Sequence, residues 1–277
     1  MRVAERDEFA EIVGAFGEDL DLARAALLLA RDAYPTLNVM AYLDTLDGLA
    51  APIRSRLEEG ADADRTIREV NHHLYEVLGF RGNREDYYDP RNSYLNDVLD
   101  RRLGIPISLS LVYIEVARRA GLPVYGVGLP ARFLVGYRDR GVDVFLDPFE
   151  GGRTVDDAAC RALVAEVYGD SVPFQREMLA PVSKRQLLFR MLNNLKLVHM
   201  ARQEPEAALR VIDRMLAILP ESPIDIRDRG LLEYGLGRYE AARADLRRYL
   251  RASPQSPDRA AIEDALAAIE TILAMYR

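Results

Sequence analysis

Gly104-Ile105-Pro106-Ile107-Ser108-Leu109-Ser110 decides how the rest of the chain is read. Gly104, after Leu103, predicts a helix-stopping C′ glycine, and Pro106 stands where a new helix begins. From there Ile107, Leu111, Ile114, Val116 and Ala117 keep helical spacing up to Gly121-Leu122-Pro123. Ser108 and Ser110 fall in the first turn, where free backbone N–H groups and the helix dipole favour negative charge. A nucleophile gains from such a position. The candidate here is a hydroxyl, because no cysteine stands in the stretch.

Working outward toward the N-terminus, helices are expected over 7–16, 21–33, 36–57 and 62–78. The third is interrupted near Gly48 and Pro52, and the fourth is stopped by Gly79. The fourth carries His72 and His73. Neighbours on a helix point in different directions, so the pair makes a poor metal site. A structural or surface role is expected for each, and a base that reaches Ser108 is the alternative. The polar stretch from Phe80 to Tyr94 has no periodicity and is expected to be an ordered loop. Tyr87, Tyr88, Asn92 and Tyr94 are its candidates for lining a cleft. The same aromatics would equally serve to pin the loop to the core. Asn92 or Ser93 then caps a helix over 94–103.

On the C-terminal side, 124–129, 133–137 and 144–146 are short β-type runs joined by tight turns, which predicts an antiparallel meander. A helix over 154–168 opens at Thr154. Cys160 shares an apolar face there with Leu163, Val164 and Val167, so it is expected to be buried and unreactive. The run 171–182 marks a boundary. Ser183 and Gln186 form a capping box that launches an all-helical region. A period of 34 residues follows: Ala208 with Ala242, Pro220 with Pro254, Leu192 with Ile226, Ile212 with Leu246. That period is the mark of tetratricopeptide (TPR) hairpins. Lys196 occupies the place that Gly230 holds one period later. Two repeats and a covering helix over 258–276 are expected. Ser222-Pro223 and Ser256-Pro257 open the later helices. The predicted domains are 1–182 and 183–277.

Composition bounds the function. The chain has 277 residues, half of them hydrophobic, with one cysteine and a net charge of −7. Residues 1–182 carry 21 basic against 31 acidic side chains, and 183–277 carry 16 against 13. Neither part has the basic face that nucleic acid requires. No apolar run approaches the ~18 residues that span a membrane, and Met1–Asp7 lacks the apolar segment of a secretion signal. A cytoplasmic protein is expected, with no cofactor and no metal.

Four ordered motifs then carry a resemblance: 88–99 (Tyr-Asp-Pro-Arg-Asn-Ser-Tyr-Leu-Asn-Asp-Val-Leu), 104–110, 126–130 (Gly-Val-Gly-Leu-Pro) and 147–152 (Asp-Pro-Phe-Glu-Gly-Gly). Together with the repeats, the chain resembles the SirB-type family, which joins a transglutaminase-like domain to C-terminal TPR repeats. The resemblance implies an α+β fold: a transglutaminase-like (papain-like) domain with a small antiparallel sheet, then all-α hairpins. In the wider superfamily the triad is Cys, His, Asp. Carried over, the cysteine's place falls near Ile107–Ser108, the histidine's at Arg132 and the aspartate's at Asp147. Only the aspartate is kept. A guanidinium with a pKa above ~12 accepts no proton at neutral pH, and a serine without a base is a weak nucleophile. The resemblance therefore implies a pseudoenzyme that works as an adaptor or regulator through protein contacts. Arg190, Asn193 and Arg227 are the candidates for a peptide-binding TPR groove; the other reading is that the protein's own first domain fills that groove. The alternative is a hydrolase or acyltransferase on amide or ester bonds, with Ser108 as nucleophile and its base supplied from elsewhere.

Overall fold

The computed structural model describes residues 8–14, 20–58, 60–130, 132–139 and 141–275. The expectations placed on Met1–Asp7, Phe16 and Tyr276 lie outside these residues, as does that on Ala131. The chain divides into two compact units, Met1–Met191 and Leu192–Arg277.

The first unit opens with helices α1 (Glu8–Gly14), α2 (Leu22–Ala30), α3 (Val39–Arg56) and α4 (Ala63–Asn71). Asp21, Asn38 and Asp62 cap the last three by accepting backbone N–H groups from Arg24, Ala41 and Arg65. Helix α3 runs through Gly48 and Pro52 without the expected interruption. Helix α4 passes directly into a π-helical turn, His72–Val77, so the single helix expected over 62–78 is in fact two kinds of helix.

The deciding stretch forms α6 (Pro106–Arg119), with Pro106 at its first position. Every residue from Pro106 to Ala117 is buried, and a helix covered on all sides is a core helix. It packs against α3, α4 and the preceding helix, α5 (Leu95–Arg101). Two expectations around it are corrected. Tyr94, not Asn92 or Ser93, is the N-cap of α5, and α5 ends in a left-handed Arg102 (φ 57°). Gly104 is therefore no helix terminator. It lies in a two-residue strand, β2 (Leu103–Gly104), paired in parallel with β1 (Arg81–Gly82). Glycine is required at 104 because a Cβ there would stand 2.7 Å from Ser108 Oγ.

The meander forms as β3 (Tyr125–Val127), β4 (Leu134–Asp139) and β5 (Val142–Asp147), all antiparallel. Two strands absent from the sequence reading extend it. These are β6 (Arg153–Val155) beside β5, and β7 (Pro181–Val182) beside β3. Thr154 therefore belongs to a strand. Asp156, not Thr154, caps α7 (Asp157–Tyr168) by accepting the N–H of Ala159. Helix α7 closes a core of Val127, Leu129, Leu134, Phe145, Val155, Cys160, Val164 and Leu179. Burial pushes the Cys160 thiol up to about 11, which leaves it an inert packing residue.

Helix α8 (Lys184–Ala201) starts at the expected capping box: Ser183 N–H donates to Gln186 Oε1 (2.8 Å), and Gln186 N–H to Ser183 Oγ (3.2 Å). The second unit continues with α9 (Pro205–Ile218), α10 (Pro223–Gly235), α11 (Tyr239–Ala252) and α12 (Arg259–Met275). Its core joins Ile212, Ile226, Ala242, Leu246, Tyr249, Ile262 and Ile269. Gly230 gives α10 and α11 their close approach, since a Cβ there would meet Leu246 at 2.8 Å. One period earlier Lys196 fills that place. Its ammonium is buried and donates to Asp225 Oδ1 (2.8 Å) and Asp228 Oδ2 (2.9 Å), while Ser222 Oγ donates to Asp225 Oδ2 (2.5 Å).

Candidate functional site

The first turn of α6 shows what Ser108 does. Its hydroxyl is fully buried. It accepts the N–H of Ile105 (3.0 Å) and faces two carbonyl oxygens, of Asn92 at 2.6 Å and Ile105 at 3.1 Å. The shorter contact takes the single hydroxyl proton. Ser108 thus closes its own helix N-terminus and clamps it to the loop before α5. Ser110 is equally buried and donates to the carbonyl of Phe133 at 3.1 Å, which ties α6 to the start of β4.

Neither candidate base is bonded to Ser108. His72 is exposed, with Nδ1 2.8 Å from Glu76 Oε2. His73 is buried and its Nδ1 has no hydrogen-bond partner among the described residues. Burial depresses its pKa, and the positive charge of Arg56 adds to that, which favours the neutral ring.

The loop after β5 carries the retained aspartate. Asp147 is fully buried. Its Oδ1 accepts the N–H of Phe149 (3.0 Å), and its main-chain carbonyl accepts the N–H of Gly152 (2.8 Å). The loop is held from below: Asn71 Nδ2 donates to Gly152 O (3.0 Å), and the Tyr113 hydroxyl donates to Asn71 Oδ1 (3.0 Å). Gly152 sits at φ 72°, and a Cβ on it would lie 2.2 Å from Asn71 Oδ1. The last residue of α4 and the middle of α6 thus fix where Asp147 points.

Arg132 stands over this loop. Its Nε lies 3.7 Å from Asp147 Oδ2, one terminal nitrogen lies 3.9 Å from Glu150 Oε1, and its guanidinium covers the Phe149 ring at 4.9 Å. Asp147 Oδ2 has no hydrogen-bond partner among the described residues. Burial raises the Asp147 pKa, and the charge of Arg132 only partly offsets it. Arg84 covers the same ring at 5.1 Å and pairs with Glu150. Tyr87 meets Phe149 edge-on at 6.5 Å and Tyr88 at 5.4 Å, and both tyrosines are exposed.

Asn92 and Tyr94 do not reach this surface. Asn92 is fully buried; its Nδ2 donates to the carbonyls of Asp86 (2.7 Å) and Tyr87 (3.2 Å), and its Oδ1 accepts from Asn83 (3.0 Å). Tyr94 is buried edge-on against Tyr34 at 5.8 Å. Phe149, Glu150 and Arg84 were not singled out in the sequence. The first two sit inside the 147–152 motif, and Arg84 had no signal beyond its place in a polar loop.

The groove candidates divide as well. Arg190 donates to the carbonyl of Leu129 at 2.9 Å and covers Phe133 at 5.4 Å, within the first unit. Arg227 donates to Asp228 Oδ1 (2.7 Å) and Asp258 Oδ2 (3.0 Å). Asn193 is half-buried. In the second unit, Leu197 on α8 and Ile224 and Leu231 on α10 are exposed by 55%, 58% and 40%. No group of residues suited to a metal ion occurs among the described residues, and no described helix is long and apolar enough to cross a membrane.

Comparison with known proteins is consistent with this architecture. The transglutaminase-like superfamily matches residues 40–193, and the tetratricopeptide repeat matches 195–267. A UPF0162 protein of Xylella fastidiosa is 43% identical over 243 residues, 86% of each chain. UPF0162 protein PA3419 of Pseudomonas aeruginosa is 34% identical over 229 residues, 83% of each. F-box only protein 21 of Mus musculus is 36% identical over 139 residues, covering 47% of this chain and 21% of that protein.

Proposed function

We propose, from the premise that this chain belongs to the transglutaminase-like superfamily and to its UPF0162 (SirB-type) members, that it is a non-catalytic adaptor or regulator acting through protein contacts. The observation that carries this reading is the bonding of Ser108. Acyl transfer needs a nucleophile that can lose its proton to a nearby base and reach a carbonyl carbon. The Ser108 hydroxyl is buried, and its proton is committed to the Asn92 carbonyl. The side chain beside the retained Asp147 is a guanidinium, which stays charged and cannot take that proton. What remains around Asp147 is a charged and aromatic surface suited to recognition.

The TPR unit supplies the second recognition surface. Leu197, Ile224 and Leu231 expose apolar side chains on the first helix of each hairpin, the face with which such repeats hold peptides. Apolar anchors at that spacing suit an extended or helical peptide. The single cysteine is buried and unpaired, in keeping with a reducing compartment such as the cytoplasm.

Cross-linking mass spectrometry of the full chain in cell extract tests this. The expected result is a recurrent partner cross-linked beside α8 and α10, lost in Leu197→Glu and in Ile224→Glu. A partner retained unchanged by both substitutions contradicts the groove.

A further inference from the structure

We propose that the surface around Arg132 is a receptor for a polypeptide carboxylate, held by the Arg132 guanidinium and the Tyr87 hydroxyl beside Phe149. The proposal rests on the adaptor reading only in taking the ligand to be part of a protein.

Three features point to it. First, Arg132 is positioned without being consumed. Its side chain is only 15% exposed, stacks on Phe149, and is drawn down by Asp147 and Glu150. At 3.7 and 3.9 Å those carboxylate oxygens are beyond hydrogen-bond reach. A guanidinium whose N–H groups are not taken up by these carboxylates can receive another in two parallel hydrogen bonds. Second, Asp147 Oδ2 is buried with no hydrogen-bond partner among the described residues although it faces a cation. It acts as a counter-charge that orients Arg132 from beneath. Third, Tyr87 is 40% exposed, with no hydrogen bond from its hydroxyl to a described residue. Its ring braces the same Phe149.

Charge selects the ligand. Arg84 and Arg132 both cover Phe149, and Glu150 lies against both. A phosphate dianion would bring a second negative charge close to Asp147 and Glu150, where like charges repel; a carboxylate brings only one. The exposed rings of Tyr87 and Tyr88 offer apolar area to the residue that bears the carboxylate.

The source of the carboxylate, a chain terminus or an acidic side chain, is separated by the probes. N-acetyl-Ala-Ala-Ala acid carries only a terminal carboxylate, N-acetyl-Ala-Glu-Ala amide only a side-chain one, and N-acetyl-Ala-Ala-Ala amide neither. Each is titrated into the full-length wild-type and variant proteins and followed by isothermal titration calorimetry, with inorganic phosphate as a fourth arm. One or both carboxylate peptides should bind at least tenfold more tightly than the neutral peptide. Arg132→Gln should lose that preference, and Arg132→Lys should not restore it, because a point charge lacks the fork. Tyr87→Phe, which removes one exposed hydroxyl and leaves the fold undisturbed, should weaken binding severalfold. Equal binding of all three peptides, tighter binding of phosphate, or an unchanged preference in both Arg132→Gln and Tyr87→Phe overturns the proposal. None of these variants touches Leu197 or Ile224, so failure here leaves the groove standing, and failure of the groove leaves this site standing.

Discussion

Replacing Ser108 by alanine separates a structural hydroxyl from a reactive one by the sign and size of its effect on stability. The hydroxyl serves two backbone groups: the N–H of Ile105 at 3.0 Å and the carbonyl of Asn92 at 2.6 Å. Both lie at fully buried side chains, so water cannot easily replace the lost partner. Leaving a buried polar group unpaired costs about 1–3 kcal/mol. A carbonyl tolerates this better than an N–H, so Ser108→Ala should cost about 2–4 kcal/mol in total. The cost is local and can be read locally. Native-state hydrogen exchange at the Ile105 amide should accelerate roughly a hundredfold, at about 1.4 kcal/mol per factor of ten. Amides in α12 should keep their rates. A serine kept for chemistry behaves in the opposite way: its removal is neutral or stabilising, because active-site groups are held against the interests of the fold. A change below about 0.5 kcal/mol, with Ile105 exchange unaltered, would refute the structural role of Ser108.

Two further predictions concern charge. Lys196→Met leaves the buried Asp225 carboxylate without a cation, while Asp228 keeps Arg227. It should cost about 3–5 kcal/mol in urea denaturation, and adding Asp225→Asn should recover much of that; a loss below about 1 kcal/mol would count against the network. Glu69 accepts from Arg56 Nε at 2.7 Å, and that bond, aided by the charge of Arg65, holds its pKa below the ordinary 4.5. A depressed carboxylate stabilises the fold above its unfolded pKa and loses that contribution as pH falls through the folded value. The Tm gap between wild type and Glu69→Gln should therefore be constant near neutrality and close below pH ~4. A gap that widens on acidification would reverse the sign.

Much of the architecture was legible because it depends on local signals. Pro106 begins α6, Asp21 and Asp62 cap where their side chains reach back, and the 34-residue period gives the hairpins. The errors fell where tertiary contact overrides local preference. Gly104 read as a helix terminator, yet the left-handed residue is Arg102, and Gly104 is glycine to make room for Ser108. Thr154 read as a cap, yet it pairs with Leu146 in the sheet. β6 and β7 are too short to show a pattern of their own. At the candidate site, Arg132 and Asp147 were visible from the motifs. The use of Phe149 as a platform for two guanidinia was not, because stacking leaves no periodic trace. Arg190 and Arg227 have helical addresses on the expected groove, but only coordinates reveal that nearby carbonyls and carboxylates occupy them.

A serine-directed fluorophosphonate reacts wherever a hydroxyl can be deprotonated and approached. Intact-mass and peptide mapping of the folded protein after exposure to this reagent should show the peptide that contains Ser108 unmodified. A stoichiometric adduct on Ser108 that disappears when the protein is denatured first would mean that an activated nucleophile is present after all.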